Sequence, residues 1–188
     1  FKPYLKKDWQ AEQAPVRVTA LTGSTQINVV PSRATAHVIG LTQGQMQAAL
    51  DKAAQELGLS FQITPSSEGL SIACTGQSAH ASAPESGNNA LTALLHALSS
   101  LPLSDCESTK AIRSLSHLFP HGDHFGAALG IAQSDPLAGP LTLALTLMEL
   151  TQHGVEARFD SRTPLCATEE NCLVPAKEAL AAHGILLK

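Results

Sequence analysis

Three polar side chains beside predicted strands have residue types that can bind or activate a ligand. His80 lies among small residues in the loop GQSAHASAPESG, where an imidazole has room to project. Loops on rigid scaffolds are also where functional groups concentrate. Arg162 ends the strand-like segment EARFDSR, and a guanidinium at a strand end can bind a carboxylate through two parallel hydrogen bonds. Asn28 stands in INVVP, just ahead of a proline-ended turn.

Each of the three residues also has a purely structural explanation, and spacing alone favours it. His80 can be a loop histidine that caps a backbone carbonyl. Arg162 can form a surface ion pair with Asp160, which would contribute little to stability. Asn28 can hydrogen-bond its own backbone in the turn.

A second polar cluster, His117, His121, Asp123 and His124, contains residue types that bind metals. Catalytic zinc sites need three ligands that converge from rigid elements, and this spacing fits no standard template. The surrounding glycines and prolines indicate a loop instead. The chain has no Gly-rich phosphate loop, no HExxH and no GxSxG motif. The residues by themselves therefore offer a binding loop and no complete active site.

The first half of the chain has the pattern β-β-α-β-β-α. Alternating apolar residues predict four strands, and apolar residues at helical spacing predict two helices. The first helix starts at a capping box, Thr42 with Gln45, and ends at Gly58. The second is capped by Asn88 or Asn89. The predicted strands are Pro15–Thr22, Ala34–Leu41, a segment around Phe61 and Ile63, and Leu70–Cys74.

The second half of the chain is also predicted to contain helices and a hairpin. A helix is predicted over Glu107–Leu118, and two strands over Leu141–Thr151 and Val155–Arg162. Further predictions are a long ordered loop over Pro120–Pro140, a last helix from Thr168 to Gly184 and a strand from Ile185. The sequence therefore predicts an α+β fold, an antiparallel sheet or sheets with helices on one face. Its two halves cover about 15–100 and about 101–188, and their similar size allows a pseudo-twofold arrangement.

Composition limits the function classes. Of the 188 residues 44% are apolar and only 4% aromatic, so a large core must be built from aliphatic side chains. The formal net charge of −4 comes without a basic stripe, which argues against nucleic acid as a partner. No apolar run is long enough to cross a bilayer, and no secretory signal is visible. Four cysteines without CxxC spacing indicate free thiols, so we expect a cytoplasmic protein that is not bound to membranes.

Four segments of the chain resemble motifs of one family of enzymes, and they occur in the same order as in that family. TGQSAHASAPESGNNAL resembles its Ser-Ala-His loop, INVVPSRATA its Asn-x-Val-Pro turn, and EARFDSRTP its strand ending in Arg-x-Pro. FPHGDHFGAALGIAQSDPLAGPLT is similar to a loop of one branch. The family is the di-zinc aminoacylase-like metallopeptidases, and the branch is the PepV-type dipeptidases. The usual Arg-Tyr-Pro is Arg-Thr-Pro here, and the strand after Gly139-Pro140 lacks an Asn that relatives often carry.

The resemblance implies a lid domain spanning residues 1–188, with two ferredoxin-like halves that imitate the lid pair of dimeric relatives. The metal-binding catalytic domain, with its two zinc ions, would be absent from this chain, which would hold no metal and be inactive alone. His80 would stabilise the oxyanion of the tetrahedral intermediate. Asn28 and Arg162 would hold the substrate, with Arg162 on its C-terminal carboxylate.

The resulting hypothesis is a metallo-dipeptidase whose lid partners are its own catalytic domain in cis and a dipeptide with a free C-terminal carboxylate. Two alternatives stay open. One is a stand-alone ACT-like module that senses amino acids, and the other is the lid of an N-acyl amino-acid deacylase. A sensor has no need to combine the His80 loop with the Arg162 strand end.

Overall fold

Ten strands and four α-helices make up residues 3–188, the part of the chain that the computed structural model describes. The strands are β1 (Tyr4–Asp8), β2 (Arg17–Gly23), β3 (Arg33–Ile39), β4 (Ser60–Ser66), β5 (Gly69–Thr75), β6 (Ser134–Asp135), β7 (Gly139–Pro140), β8 (Thr142–Thr151), β9 (Gly154–Arg162) and β10 (Leu186–Leu187). The helices are α1 (Gln43–Leu57), α2 (Ala90–Ser99), α3 (Glu107–Leu118) and α4 (Val174–Ala181). None of the helices in the described range is long and apolar enough to span a membrane.

Eight strands form one antiparallel sheet in the order β10-β1-β9-β8-β2-β3-β5-β4. The order is symmetrical about the boundary between β8 and β2, because each of these strands is flanked by its own hairpin partner and then by two outer strands. The central strands β2 and β8 pair along a short register, from Leu21 opposite Leu150 to Gly23 opposite Met148. The two halves therefore share one continuous sheet.

One hydrophobic core lies between this sheet and the four helices. Alternate residues of the strands point into it, for example Val155 and Phe159 of β9, as the period-two geometry of a strand requires. Each helix contributes buried side chains to the same core, and nearly all of α2 is buried. The helices thus cover one face of the sheet, and the other face is open. The predicted α+β fold is confirmed.

Strand β1 is absent from the sequence-based prediction, which contains no strand before Pro15. Its residues, YLKKD, read as a polar segment, yet they pair with β9 on one side and β10 on the other. Leu5 is 1% exposed and belongs to the core. Strand formation here depends on backbone partners supplied by the far end of the chain rather than on intrinsic preference. β1 completes the second half of the sheet, although it precedes the first half in sequence.

Local capping determines where the helices begin and end. The predicted capping box of α1 is present, since Thr42 Oγ1 accepts from the Gln45 backbone N–H at 3.2 Å and Gln45 Oε1 accepts from the Thr42 backbone N–H at 2.8 Å. Gly58 ends the helix in the left-handed conformation, with φ of 68°. These interactions lie within a few residues of each other, which explains why the sequence predicts α1 correctly.

Asn89 caps α2 and also connects it to the central strand of the other half. Its Oδ1 accepts from the backbone N–H of Leu91 at 2.9 Å and of Thr92 at 3.2 Å. Its Nδ2 donates to the carbonyl of Leu145 in β8 at 2.9 Å. One side chain therefore joins a helix of the first half to a strand of the second.

Replacing Asn89 with alanine is expected to lower the free energy of unfolding by about 2 to 3 kcal/mol, because both the cap and the bond to Leu145 are lost. Thr42→Ala, which removes a cap within α1 only, is the matched control and should cost about 1 kcal/mol. Urea unfolding followed by circular dichroism gives both values. We expect one transition for each variant, and two separate transitions would contradict a core shared by the halves.

All four cysteines are free, and Cys74 and Cys172 are buried. Burial raises the pKa of the Cys74 thiol to about 12, because the thiolate is disfavoured away from water. Cys74 therefore stays protonated and acts as a small apolar side chain of the core.

Candidate functional site

The segments that carry Asn28 and His80 pair with each other. The backbone N–H of Ala81 donates to the carbonyl of Asn28 at 2.9 Å, and the N–H of Val30 donates to the carbonyl of Ala79 at 2.8 Å. Val29 and His80 form an isolated antiparallel bridge between these bonds. Asn28 and His80, which are far apart in sequence, thereby lie at neighbouring positions of two paired backbone segments.

This pair of segments rests on the open face of the central strands. Val30 and Ala81 pack against Ala144 of β8, in a small buried cluster separate from the main core. In the hairpin of β8 and β9, Ala144 is opposite Asp160, and Thr142 is opposite Arg162. Opposite residues of an antiparallel pair share a face. The structure therefore brings the segments of Asn28 and His80 to the end of the hairpin that carries Arg162.

The ring of His80 is oriented by Ser82. The backbone N–H of Ser82 donates to His80 Nδ1 at 3.1 Å, and the Ser82 hydroxyl lies 2.6 Å from the same atom. Because Nδ1 accepts a backbone hydrogen bond, the neutral ring carries its proton on Nε2. The side chain is exposed. Its Nε2 has no hydrogen-bond partner among residues 3–188 and can donate to a ligand.

Arg162 forms a two-pronged ion pair with Asp160. Arg162 Nε donates to Asp160 Oδ1 at 2.7 Å, and Nη2 donates to Oδ2 at 3.2 Å. The hydrogen bonds and the nearby negative charge raise the pKa of Arg162. The ion pair with Asp160 is thus present as predicted, but it is not a surface pair, because the Asp160 side chain is 0% exposed and that of Arg162 is 46% exposed. Asp160 lies opposite Ala144, the residue on which Val30 and Ala81 pack.

Asp135 binds the backbone of the segment that follows Arg162. Its carboxylate accepts from the backbone N–H groups of Leu137, Ala138 and Leu165 at 2.9, 2.7 and 2.6 Å. These bonds lower the pKa of Asp135, with the Ala138 bond the largest contribution. The contact between residues 135 and 165 is missing from the sequence-based prediction. The Asp-Pro turn signal at Asp135 is present in the sequence, but its second partner is too distant to be found from it.

A groove of about 900 Å³ lies on the open face where β2, β3, β8 and β9 meet. Val29 and Ser78 line it close to the His80 loop, and Arg158, whose guanidinium carbon lies 5.2 Å from the centre of the Tyr4 ring, lines it further along. Of the described residues that line the groove, none is Asn28, His80 or Arg162. The groove is therefore a neighbouring space rather than the space between the candidate residues.

The histidine cluster of the second half does not converge on a point. His121 Nδ1 lies 2.9 Å from the hydroxyl of Thr92, while His117 faces His183 with ring centres 5.7 Å apart. The carboxylate of Asp123 accepts four backbone N–H groups, from residues 125 to 128. Within residues 3–188 no group of three His, Cys, Asp or Glu side chains is placed to hold a metal ion. The residues at positions 3–188 do not fit a zinc centre.

Because these ligands do not converge, the purified chain is expected to bind no stoichiometric zinc. Elemental analysis after gel filtration in zinc-containing buffer measures the metal per chain. One or more tightly held zinc ions per chain would contradict this expectation.

His121 is partly buried beside Thr92 of α2, and the loss of water around its ring lowers its pKa to about 4, with smaller contributions from His124 and His96. The unfolded chain takes up this proton near pH 6.5 and the folded chain only near pH 4. The folded state therefore loses stability as the pH falls through this window. Above about pH 6.5 His121 is neutral in both the folded and the unfolded state, so it does not affect the pH dependence of the free energy of unfolding.

Replacing His121 with glutamine should make the free energy of unfolding less dependent on pH between about pH 6.5 and about pH 4. Urea unfolding at several pH values measures this slope. His153→Gln, which changes an exposed histidine, is the control and should leave the slope unchanged. An unaltered slope in the His121 variant would contradict the assignment.

A comparison with known protein families gives a match to part of the chain. Residues 65–149 match M20_dimer, the peptidase dimerisation domain. The matched segment runs from the end of β4 into β8 and contains the His80 loop, α2 and α3. It covers a little under half of the chain and excludes Asn28 and Arg162. No curated protein matched the chain.

The match gives the chain a peptidase context, and the mixed α+β fold with its antiparallel sheet agrees with such a domain. A dimerisation domain of a peptidase associates with a catalytic domain or a partner. Here the symmetrical order of the sheet pairs β2 with β8 inside one chain.

Proposed function

We propose that this chain is the substrate-binding lid of a PepV-type metallo-dipeptidase that cleaves dipeptides with a free C-terminal carboxylate. The observation that carries the proposal is the Nε2–H of His80, exposed and oriented by Ser82, on a loop seated against the hairpin of Arg162. A hydrogen-bond donor and a carboxylate-binding cation on one face are the two groups that such a lid has to supply.

In this proposal His80 acts on the charge that develops during peptide hydrolysis. The carbonyl oxygen becomes an oxyanion in the tetrahedral intermediate, and a fixed N–H donor stabilises it more than the neutral carbonyl. The bond from the Ser82 backbone keeps the proton on Nε2 and limits rotation of the ring. The side chain is thus prepared as a donor before the substrate arrives.

Arg162 and Asn28 are assigned to substrate binding. The guanidinium of Arg162 is anchored on one edge by Asp160 and is about half exposed, which leaves hydrogens for a second carboxylate. Asn28 is exposed, and its backbone carbonyl is fixed by Ala81, so its side-chain amide can face a ligand next to His80. A free C-terminal carboxylate and a peptide group would satisfy these donors.

The metal centre, two zinc ions in this proposal, belongs to a catalytic domain outside this chain. Tyr4 and Lys188 exchange two backbone hydrogen bonds, of 3.0 and 2.9 Å, so that chain attached at either end would leave from the same edge of the sheet. In this proposal the catalytic domain is a partner in cis. Metal ions polarise a peptide carbonyl and activate water, and this chain contributes binding and hydrogen-bond donation.

One experiment separates this proposal from its two alternatives. The intact enzyme is assayed with a dipeptide, its C-terminal amide and an N-acyl amino acid, and the 188-residue chain is titrated with free amino acids by calorimetry. We expect hydrolysis of the dipeptide in preference to both other compounds, and no amino-acid binding. Preference for the N-acyl amino acid would indicate a deacylase. Micromolar amino-acid binding without hydrolysis would indicate the ACT-like sensor.

A further inference from the structure

The guanidinium of Arg162 is held by a carboxylate that solvent does not reach. Asp160 is 0% exposed, and its two oxygens bind Arg162 Nε and Nη2 at 2.7 and 3.2 Å. Buried carboxylates are costly unless they are paired and hydrogen-bonded, so this carboxylate strongly favours a guanidinium in that orientation. Arg162 ends a strand, where a long side chain would otherwise have many rotamers.

The ion pair uses only part of the guanidinium. Arginine has five N–H donors in a rigid plane, and Asp160 takes one on Nε and one on Nη2. Three donors lie outside the pair, two on Nη1 and one on Nη2. A second carboxylate can bind these end-on through two parallel hydrogen bonds. Asp160 therefore leaves a complete carboxylate-binding edge and determines its direction.

The position of Asp160 is tied to the His80 loop. Asp160 is opposite Ala144, and Ala144 is covered by Val30 and Ala81 from the two segments that carry Asn28 and His80. The segments of Asn28 and His80 thus pack on the same pair of strands that carries Asp160. The hairpin of β8 and β9 therefore positions both the loop of His80, the proposed oxyanion donor, and Asp160, which orients Arg162.

We propose that Asp160 is a positioning residue for substrate binding, which orients Arg162 towards the C-terminal carboxylate of the substrate. The inference rests on the proposed function, in which Arg162 binds that carboxylate. Asp160 also neutralises much of the positive charge of Arg162. Affinity then depends on the direction of the free N–H groups more than on net charge, so the site selects a carboxylate presented in one geometry.

The test is the kinetics of the intact enzyme carrying Asp160→Asn, with a dipeptide and with its C-terminal amide. Asparagine keeps the shape but removes the charge that holds both nitrogens. We expect KM for the free acid to rise about 3- to 10-fold, the size expected when a long side chain has to be ordered on binding. kcat should stay within about twofold, and KM for the amide should not change.

Glu156→Gln is the matched control, since Glu156 is an acid four residues earlier on the same face of β9 with a side chain 52% exposed. It should leave both KM values unchanged. Asp160→Glu keeps the charge but moves it by one methylene, so it should raise KM for the free acid by a few-fold. This second variant decides the question if the asparagine variant does not fold.

A direct readout is the Arg162 Nε–H signal in ¹⁵N relaxation of the 188-residue chain. We expect a rigid signal in the wild type and in Glu156→Gln, and a mobile one in Asp160→Asn. Unchanged KM in both Asp160 variants, or equal rises for acid and amide, would overturn the positioning role. If Arg162→Lys also left the preference for the free acid intact, the proposed function itself would fail, and the positioning role with it.

Discussion

Replacing His80 with alanine in the intact enzyme is expected to lower kcat by roughly 100- to 1000-fold, the usual cost of one oxyanion donor. KM should change little, because the donor acts on charge that is present in the transition state and largely absent from the bound substrate. Steady-state kinetics with a free dipeptide measures both constants. The structural basis is the Nε2–H tautomer that the Ser82 backbone N–H selects.

Two further variants make the His80 result specific. Glutamine retains an N–H donor at a similar distance, so His80→Gln should keep more kcat than His80→Ala. Ser82→Ala removes the hydroxyl 2.6 Å from Nδ1 but keeps the backbone bond, and should cost less than about tenfold. A near-normal kcat in His80→Ala would show that the loop is structural, and the sensor hypothesis would gain support.

Replacing Arg162 with alanine should raise KM for dipeptides with a free carboxylate by roughly 10- to 150-fold, the equivalent of losing charge-assisted hydrogen bonds worth about 1.5 to 3 kcal/mol. KM for C-terminally amidated dipeptides should rise much less. The same variant should also destabilise the domain by about 2 kcal/mol, because buried Asp160 loses its guanidinium. This value is below the range for fully buried pairs, since Arg162 is half exposed.

The double variant Asp160→Asn with Arg162→Ala separates the two effects. Removing the charge on Asp160 should recover part of the stability, whereas the high KM for the free acid should persist. Urea unfolding and steady-state kinetics on the same preparations test this. Recovery of KM together with stability would mean that Arg162 acts only through the fold.

Structure formed by neighbours in sequence could be predicted from the sequence. The capping box of α1 at Thr42 and the bounds of α3, Glu107–Leu118, depend on hydrogen bonds and periodicity within a few turns. The hairpin of β8 and β9 likewise needs only two adjacent apolar segments and the turn at Gly154. Each of these predictions is confirmed because a local pattern and the final fold agree.

Strand pairing between distant segments was decided by tertiary structure. β1 forms from YLKKD only because β9 and β10 lie on either side of it, about 150 residues or more along the chain. Residues 121, 123 and 124 are close in sequence, yet their side chains bind different partners, Thr92 and the local backbone among them. The sequence pattern therefore predicted neither strand β1 nor the fact that the side chains of His121, Asp123 and His124 have different partners.

For the candidate site, the sequence by itself determined the residue types and their local settings: a histidine among small residues, an asparagine before a turn and an arginine at a strand end. The tertiary structure decided that the segments of Asn28 and His80 pair, that they rest on Ala144, and that the Asp160 side chain paired with Arg162 is buried. Burial of a side chain depends on what packs over its strand from elsewhere in the chain. A pattern of residues along one segment contains no information about that cover.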